Sequence, residues 1–586
     1  MFVKKTFNYQ IFFIFSIFCL SLIIRLFNIN WDQGQHLHPD ERFLTMVEST
    51  IKLPNSLSQY LNTGDSPLNP YNYKEFQFFV YGTFPIFLIK YISNFINMGE
   101  YHQVYLVGRF FSAFFDSLNI IGIYLFMKFL IKEKKNKFIV LLPSFLYAFC
   151  VLPIQLSHFF AVDTFLTPIL LFTFIFLVYW ISKRKIIFLL IAAVLFGLGL
   201  STKISAYLFS PVILLFFIYH FFTTKNKIQT LYLSIIFSLI SLTIFRFFQP
   251  YAFVGLFKIN PIFVENMVYL KSMLTNKNVF YPPEIQWLSK IPLLYPLQNI
   301  FFWGLGIPLS LLFLIPIKNI FKIKFKTLFS SSNNFIIFLS LFWIIFVLIQ
   351  QSFSFTATMR YFLPIYPFIC FLAVFLNLTS KKYRQLFTFA FILNLIYCFL
   401  FLSIYTKPHT RIQASEWIYQ NIPSNSTIAN EYWDDALPLS LDYSSSSLYS
   451  NQNLHLYDSD TETKWQEINS ILDNTDYIFL TSNRLWSSIP TVPTRYPIAT
   501  KYYQDLFDGN SQFKKIIEFN SYPGIHLPFL KKCFYFGPTN YPYLETKNHW
   551  FDIDSTCSYP GIYLRDDNAE EAFSVYDHPK VIIFKK

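Results

Sequence analysis

The sequence predicts a polytopic α-helical membrane protein of about eleven transmembrane helices, followed by a C-terminal extracytoplasmic α/β domain. The 586 residues are 54% hydrophobic and only 14% charged, whereas soluble domains contain roughly 25% charged residues. Apolar runs of about 17–25 residues, long enough to cross a bilayer, recur along the chain. Residues 407–586 hold 15 Lys and Arg against 22 Asp and Glu, and residues 1–406 hold 32 against 12. We therefore assign residues 1–406 to a membrane domain and residues 407–586 to an outer domain.

The orientation of the spans follows from the basic residues between them, because Lys and Arg in short loops favour the cytoplasm. The net charge of +13 lies mostly in such loop clusters, which disfavours a nucleic-acid partner. The apolar runs lie near residues 9–29, 76–97, 105–131, 138–156, 159–181, 186–202, 204–222, 228–248, 297–317, 334–350, 361–379 and 385–405. The basic clusters are Lys4-Lys5, "KEKKNK" at 132–137, "KRK" at 183–185, "KNK" at 225–227, "KNIFKIKFK" at 318–326 and "KKYR" at 381–384.

All six clusters fall in the cytoplasm only if the run 76–97 does not cross the membrane. That run contains Gly82, Pro85 and Lys90, so we expect an interfacial or re-entrant helix there. The stretch 186–222 is too long for one crossing and is interrupted by "STKIS" at 201–205, where we expect an outer turn. The N-terminus is then cytoplasmic, and residues 30–104, 250–296 and 407–586 are extracytoplasmic.

The outer domain shows α/β patterning. "TRIQASEWIYQNI" has helical spacing, and "TIANEYW", "DYIFLTSN" and "KVIIF" are typical of short buried strands. Cys533 and Cys557 lie in this region and could form a disulfide outside the cell, but their spacing does not decide the pairing.

The stretch "HLHPDE", residues 36–41, follows the first apolar run and allows three interpretations. Pro39 suits the first turn of a helix, where the helix dipole would favour Asp40 and Glu41. His36 and His38 with Asp40 could instead bind a metal ion, although HxHxD in a loop is a weak signal. Asp40 could also act as a catalytic carboxylate.

Four basic residues lie at the outer ends of spans, where the orientation rule disfavours them: Arg109, Lys203, Arg246 and Arg360. Arg246 and Arg360 could simply extend to lipid headgroups. Asp116 lies seven residues after Arg109 on the same helix face, so we expect a structural ion pair between them. Asp163 occupies the next outer turn together with His158, which is either an interface residue or a substrate contact.

Carboxylates from the first two outer loops and basic groups from later spans thus share one membrane depth. A partly desolvated carboxylate can remove a proton from an acceptor hydroxyl. Arg and Lys can hold phosphate oxygens while negative charge develops on them. This combination suits group transfer from a phosphate-linked lipid at the membrane surface.

Several motifs together resemble those of bacterial glycosyltransferase family 39, which is related to the protein O-mannosyltransferases and aminoarabinose transferases of the GT-C superfamily. They are "HPDERFLTMVE", "VGRFFSAFFDSL", "IQLSHFFAVDTFLT", "GLGLSTKISA", "FQPYAF", "PPEIQWLSKIPLLYPLQNIFFWGLGIPL" and "MRYFLPIYPF". The resemblance implies an inverting transfer from a polyprenyl-phosphate sugar. It places the family's Asp-Glu pair at Asp40-Glu41, a second acidic position at Asp163, and phosphate-binding positions at Arg246 and Arg360 with Lys203 behind them.

We therefore expect a hexosyltransferase of the bacterial plasma membrane with Asp40 as general base and Glu41 and Asp163 orienting the acceptor or a metal. His158, Arg109 and Asp116 would support the site. Some GT-C enzymes need a divalent metal and others need none, and the acceptor could be a protein, a lipid or a glycan. The alternative is a transporter or flippase for a solute or lipid-linked sugar, but the sequence shows no inverted halves with broken helices. A sensor or scaffold would leave the membrane charges unexplained.

Overall fold

The computed structural model describes residues 9–131, 138–275, 281–316, 331–378, 384–538, 550–555, 557 and 559–586. The basic clusters Lys4-Lys5, 132–137, 318–326 and 381–383, on which the orientation prediction depends, lie outside the described residues.

Within the described ranges, seven helices are long and apolar enough to cross a membrane: Tyr101–Leu130, Val162–Lys183, Ile204–Thr223, Lys227–Phe248, Ser332–Phe353, Met359–Asn377 and Gln385–Asn421. Two bent pairs raise that number to nine: Ile139–Ala148 with Val151–Ser157, and Leu294–Gly304 with Gly306–Leu314. Two shorter apolar helices span Tyr9–Arg25 and Ile186–Thr202. The chain is an integral membrane protein, and the count of eleven spans stays a prediction.

The break predicted in the stretch 186–222 is confirmed. The helix Ile186–Thr202 ends at Lys203, whose backbone is extended, and a tight turn of helix over Ile204–Phe209 leads into the helix Ser210–Thr223. Lys203 therefore lies directly after the helix Ile186–Thr202 and directly before the turn Ile204–Phe209.

The run 76–97 contains only a thirteen-residue helix, Thr83–Phe95. At 1.5 Å per residue it is about 20 Å long, short of a hydrocarbon core of about 30 Å. It follows Gly82, where a side-chain Cβ would lie 2.2 Å from the carbonyl oxygen of Ser201. A glycine is therefore needed for the chain to pass this close to the Lys203 break.

The outer region contains two sheets. The first has five strands in the order Ser450–Leu454, Thr427–Glu431, Tyr477–Leu480, Val581–Lys585 and Lys514–Phe519. Its first three strands are parallel, and Val581–Lys585 is antiparallel to both of its neighbours. The second sheet has four strands in the order Gly524–His526, Gly561–Leu564, Cys533–Phe536 and Phe551–Asp554. Cys533 and Cys557 form a disulfide, which answers the question that the sequence left open.

The remaining helices lie in the segments between the apolar helices or between the strands of the outer region. They are Pro39–Thr50, Leu57–Leu61, Pro261–Thr275, Glu462–Asp473, Arg484–Ser488, Pro497–Asp508 and Glu571–Ser574. The stretch Gln385–Asn421 consists of the apolar helix Arg384–Leu402, the short turn Ser403–Thr406 and a separate helix, Thr410–Asn421. A two-stranded ribbon, Phe253–Val254 with Lys258–Ile259, precedes the helix Pro261–Thr275. The helix predicted from "TRIQASEWIYQNI" and the three predicted strands of the outer domain are all present.

The segment 566–578, which we call the return segment, leaves the sheets and packs among the membrane helices. Phe573 is buried in the core of the helical bundle, with its ring centroid 6.3 Å from that of Trp303 and 5.5 Å from that of Phe401. Its backbone carbonyl accepts a hydrogen bond from the Gln155 side chain at 2.6 Å. The outer region and the membrane helices are therefore joined by a buried contact.

Candidate active site

The helix Pro39–Thr50 begins as the helix-start interpretation predicts. His38 precedes its first turn, and the His38 Nδ1 atom accepts a hydrogen bond from the backbone N–H of Glu41 at 3.2 Å. Pro39 occupies the first helical position, which needs no N–H donor. Asp40 and Glu41 follow in the first turn but point to different surroundings, because neighbouring residues of a helix lie about 100° apart.

Glu41 points into the protein and binds Arg109. Two guanidinium nitrogens of Arg109 donate to Glu41 at 2.9 and 2.5 Å, and two donate to Asp32 at 3.0 and 2.9 Å. All three side chains are fully buried. Glu41 also accepts from the backbone N–H of Phe160 at 2.7 Å. This three-residue cluster fixes the first outer loop to the helix Tyr101–Leu130.

The two carboxylates of this cluster share one guanidinium. Burial raises the pKa of Glu41 above its ordinary value despite the charge of Arg109. Burial also acts to raise the pKa of Asp32, but the charge and hydrogen bonds of Arg109 lower it by more. The Glu41 oxygens are thus held by Arg109 and the Phe160 N–H, which fixes the start of the helix Pro39–Thr50.

The predicted pairing of Arg109 with Asp116 is wrong. Asp116 instead pairs with Arg25 at 2.7 Å and accepts a hydrogen bond from the Tyr147 hydroxyl at 2.7 Å. Arg25 ends the first apolar helix, Tyr9–Arg25. The shared helix face of Arg109 and Asp116 did not decide the pairing, because each side chain found a partner on a neighbouring segment.

Asp40 forms an ion pair with Arg360, and their side chains are 26% and 28% exposed. The Tyr81 hydroxyl also hydrogen-bonds to the Asp40 carboxyl. Burial acts to raise the pKa of Asp40, but the Arg360 charge and the two hydrogen bonds outweigh it and hold the pKa well below the usual range. Asp40 is therefore an ionised carboxylate that solvent can still reach.

Asp163 pairs with Lys203 at 2.6 Å beside this ion pair. The Lys203 ammonium lies 4.7 Å from the centre of the Tyr361 ring, and the Arg360 guanidinium lies 5.5 Å from the same centre. The tyrosine thus joins the two ion pairs into one cluster. The structure brings together four residues predicted for the site: Asp40, Asp163, Lys203 and Arg360.

Arg246 and His158 have other partners. Arg246 donates to the backbone carbonyls of Pro250 and Gly255, at 3.4 and 2.7 Å. Both ring nitrogens of His158 face backbone carbonyls, of Ile154 at 2.8 Å and of Phe27 at 2.9 Å. Of the two interpretations of His158, the structure supports the hydrogen-bonded interface residue.

The two histidines of "HLHPDE", His36 and His38, pack against different aromatic residues. The His36 ring lies against the ring of Tyr101, with centroids 4.2 Å apart, whereas the His38 ring stacks on Phe159 at 4.4 Å. In the part of the chain that the structure describes, no three His, Cys, Asp or Glu side chains are grouped as metal ligands. The HxHxD pattern therefore gives no joint metal site in this arrangement.

A narrow gap lies beside Tyr81. Its lining comes from four parts of the chain: Val80, Tyr81, Gly82, Leu200, Ile204, Phe245, Gln249, Phe263 and Met267. Phe263 and Met267 belong to the helix Pro261–Thr275 of the outer loop 250–296. Residues from the run 76–97 and from this loop thus face each other across the gap.

Three residues next to the site were not predicted from the sequence. Tyr81 bonds to Asp40, Arg42 pairs with Asp435 of the outer region at 2.6 Å, and the Tyr576 ring centroid lies 4.5 Å from that of His38. Of these three residues, only Arg42 could have been found from the sequence, because it is a third charged residue directly after the Asp40-Glu41 pair. The other two contacts depend on how distant segments pack.

Residues 92–247 match the family model described as dolichyl-phosphate-mannose-protein mannosyltransferase. The resemblance inferred from the motifs is confirmed. The matched segment includes Arg109, Asp163, Lys203 and Arg246, whereas Asp40 and Arg360 lie on either side of it. No curated protein sequence matches the chain significantly.

Solved structures also match the chain. The Archaeoglobus fulgidus oligosaccharyltransferase in its apo form is 14% identical, with 84% of this chain and 73% of that chain covered and a TM-score of 0.43. The oligosaccharyltransferase AglB of the same organism, bound to an inhibitory peptide and a dolichol-phosphate, is 13% identical with the same coverage and a TM-score of 0.46. ArnT from Cupriavidus metallidurans, bound to undecaprenyl phosphate, is 13% identical, with 68% and 65% covered and a TM-score of 0.44.

Proposed function

We propose that this chain is a GT-C glycosyltransferase that transfers a sugar from a polyprenyl-phosphate donor to an acceptor hydroxyl on the outer face of the membrane. The observation that carries the proposal is the solvent-reachable pair Asp40–Arg360, joined through Tyr361 to the pair Asp163–Lys203. It combines an ionised carboxylate with two cations at the surface of a helical bundle. The match to the mannosyltransferase family over residues 92–247 supports the same reaction class.

In the proposed reaction, the donor phosphate competes with Asp40 for the Arg360 guanidinium. Guanidinium groups bind phosphate oxygens strongly because two N–H donors can match two oxygens. Once Arg360 has turned to the phosphate, the pKa of Asp40 rises and the carboxylate becomes a better base.

The transfer is a single displacement at the anomeric carbon. Asp40 takes the proton of the acceptor hydroxyl while the acceptor oxygen forms its bond to that carbon. The bond from the carbon to the phosphate oxygen breaks on the opposite face, which inverts the configuration. The polyprenyl phosphate leaves with the electron pair, and Arg360 and Lys203 stabilise its charge.

The other predicted residues take supporting roles in this proposal. Asp163 holds Lys203 in place, and Glu41 with Arg109 fixes the helix that carries Asp40. Because Arg246 donates to two backbone carbonyls, we assign it to holding the loop after the helix Lys227–Phe248.

We also propose eleven spans, a cytoplasmic N-terminus and an extracytoplasmic region 407–586. The two shorter apolar helices, counted with the seven long ones and the two bent pairs, make eleven. The disulfide between Cys533 and Cys557 supports an oxidising location for the outer region.

The test is sugar transfer by the purified chain in liposomes, with a panel of polyprenyl-phosphate sugars as donors. Asp40→Asn should lower the transfer rate by roughly 10²–10⁴-fold, because the general base is lost. Asp65→Asn is the matched control, since Asp65 is an exposed acid of the same outer loop, and it should retain the wild-type rate. Full activity of Asp40→Asn would falsify the base assignment. Movement of the lipid-linked sugar across the bilayer without transfer would favour the flippase alternative.

A further inference from the structure

The helix that carries Arg360 lacks a local cap. The first N–H groups of a helix have no partner within the helix and need an acceptor from elsewhere. Thr358 occupies the capping position before the turn Met359–Ile365, but its side chain makes no capping hydrogen bond there. The acceptor comes from another part of the chain.

Glu570 of the return segment supplies it. The Glu570 carboxyl accepts a hydrogen bond from the Met359 N–H at 2.6 Å. Glu570 is 2% exposed, and its own N–H donates to the Asn299 side chain at 2.7 Å. A carboxylate at a helix N-terminus is favoured both by the free N–H groups and by the helix dipole.

The hydrogen bond between Glu570 and Met359 affects the placement of the Arg360 side chain. Met359 directly precedes Arg360, so the bond from Glu570 fixes the backbone from which the Arg360 side chain extends to Asp40. The guanidinium sits at the end of a long side chain, and a small rotation of its backbone moves it by a distance comparable with a hydrogen bond. Catalytic geometry depends on displacements of this size.

We propose that Glu570 is a positioning residue that caps the helix at Met359 and so orients the Arg360 guanidinium toward the donor phosphate. This proposal rests on the proposed function in one respect, the role of Arg360 as the phosphate-binding residue. Through Glu570, the return segment contributes to donor binding although it is distant in sequence from Arg360.

The neighbouring Glu571 provides a matched control. It has the same side chain and directly follows Glu570, at the start of the short helix Glu571–Ser574, but it pairs with Arg484 at 2.6 Å and accepts from Gln286 at 3.0 Å. If the return segment acted only as an anchor, substitutions at Glu570 and Glu571 should have similar effects. If Glu570 positions Arg360, only its own variants should alter donor binding.

The experiment measures the binding of undecaprenyl phosphate to the purified full-length chain in detergent, by native mass spectrometry. We expect Glu570→Ala to weaken binding roughly tenfold, since the buried hydrogen bond that holds the backbone at Met359 is lost. Glu570→Gln keeps an oxygen that can accept from Met359, so we expect it to recover to within about threefold of wild type. Glu571→Gln should bind as the wild type does.

A double-mutant cycle then tests whether the effect passes through Arg360. In the Arg360→Ala background, Glu570→Ala should cause no further loss of binding, because the residue that it positions is gone. An additive loss in the double variant would overturn the proposal, and so would equal losses for the Glu570 and Glu571 variants. If Glu570→Ala fails to fold, Glu570→Asp and Glu570→Gln complete the same cycle, with Asp shortening the reach to Met359.

These outcomes separate this proposal from the proposed function. If Arg360→Ala leaves undecaprenyl phosphate binding unchanged, the assignment of Arg360 to the phosphate fails. If Arg360→Ala weakens binding while Glu570→Ala does not, the proposed function stands and the role of Glu570 is wrong. Because binding is measured without transfer, the result does not depend on finding the correct sugar.

Discussion

Replacing Arg109 with methionine should destabilise the protein strongly. Arg109 is fully buried and donates five hydrogen bonds, two to Asp32, two to Glu41 and one to the backbone carbonyl of Ile29 at 2.7 Å. Methionine fills much of the volume but leaves two buried carboxyl groups without their cation. Removing one partner of a buried ion pair typically costs about 3–5 kcal/mol.

We expect about 4 kcal/mol for Arg109→Met at pH 8, which is a change of roughly 10³-fold in the ratio of folded to unfolded protein. The loss should depend on pH. Without Arg109, burial raises the pKa of both carboxyl groups above their unfolded values, so the folded state binds protons more tightly. The variant should therefore be closest to wild type near pH 4 and lose stability as the pH rises toward 8.

The assay is chemical denaturation in detergent, followed by tryptophan fluorescence at several pH values. The triple variant Arg109→Met, Asp32→Asn, Glu41→Gln should recover much of the loss, because the unpaired buried charges are gone. Arg246→Met is the control, since its guanidinium donates only to two backbone carbonyls, and we expect a cost of about 1 kcal/mol. The reasoning fails if Arg109→Met costs no more than Arg246→Met, or if its cost is the same at pH 5 and pH 8.

Two further predictions follow from the site and the return segment. Because the Arg360 charge helps to hold the pKa of Asp40 below its usual range, Arg360→Ala should move the acid limb of the transfer rate to higher pH. A pH–rate profile at donor concentrations well below KM, which reports the pKa of Asp40 in the free protein, checks this, and an unmoved acid limb contradicts it. Burial lowers the pKa of His578, but Asp577 and Asp566 raise it to about 10. The stabilisation from protonated His578 is complete below pH 6.5 and is lost as the pH rises to 10, so the melting temperature should fall across that range. The fall should be smaller for Asp566→Asn, and an equal fall in both proteins would contradict the assignment.

Much of the architecture could be predicted because it depends on local patterns. The break at Lys203, the short helix Thr83–Phe95 and the strands Thr427–Glu431 and Tyr477–Leu480 follow from apolar run lengths and alternation. The helix start at Pro39 follows from the residue types of its first turn. These features are encoded within a few neighbouring residues.

The pairing of charges could not be predicted in the same way. Arg109 and Asp116 share a helix face, yet Arg109 binds Asp32 and Glu41 while Asp116 binds Arg25. Opposite charges attract over several ångströms in any direction, so spacing along one helix does not select among partners on different helices. Which helices are neighbours is decided by the packing of their apolar faces.

By itself, the sequence determined that the chain crosses the membrane several times and that its last part is an α/β region, and it predicted that acidic and basic groups share one membrane depth. Apolar length and charge are properties of short segments, and a bilayer acts on them directly. Only the tertiary structure decided that Asp40 meets Arg360 while its neighbour Glu41 is buried against Arg109. It alone brought Glu570 to the start of the helix that carries Arg360, because a contact across 211 residues depends on how the outer sheets and the membrane helices pack together.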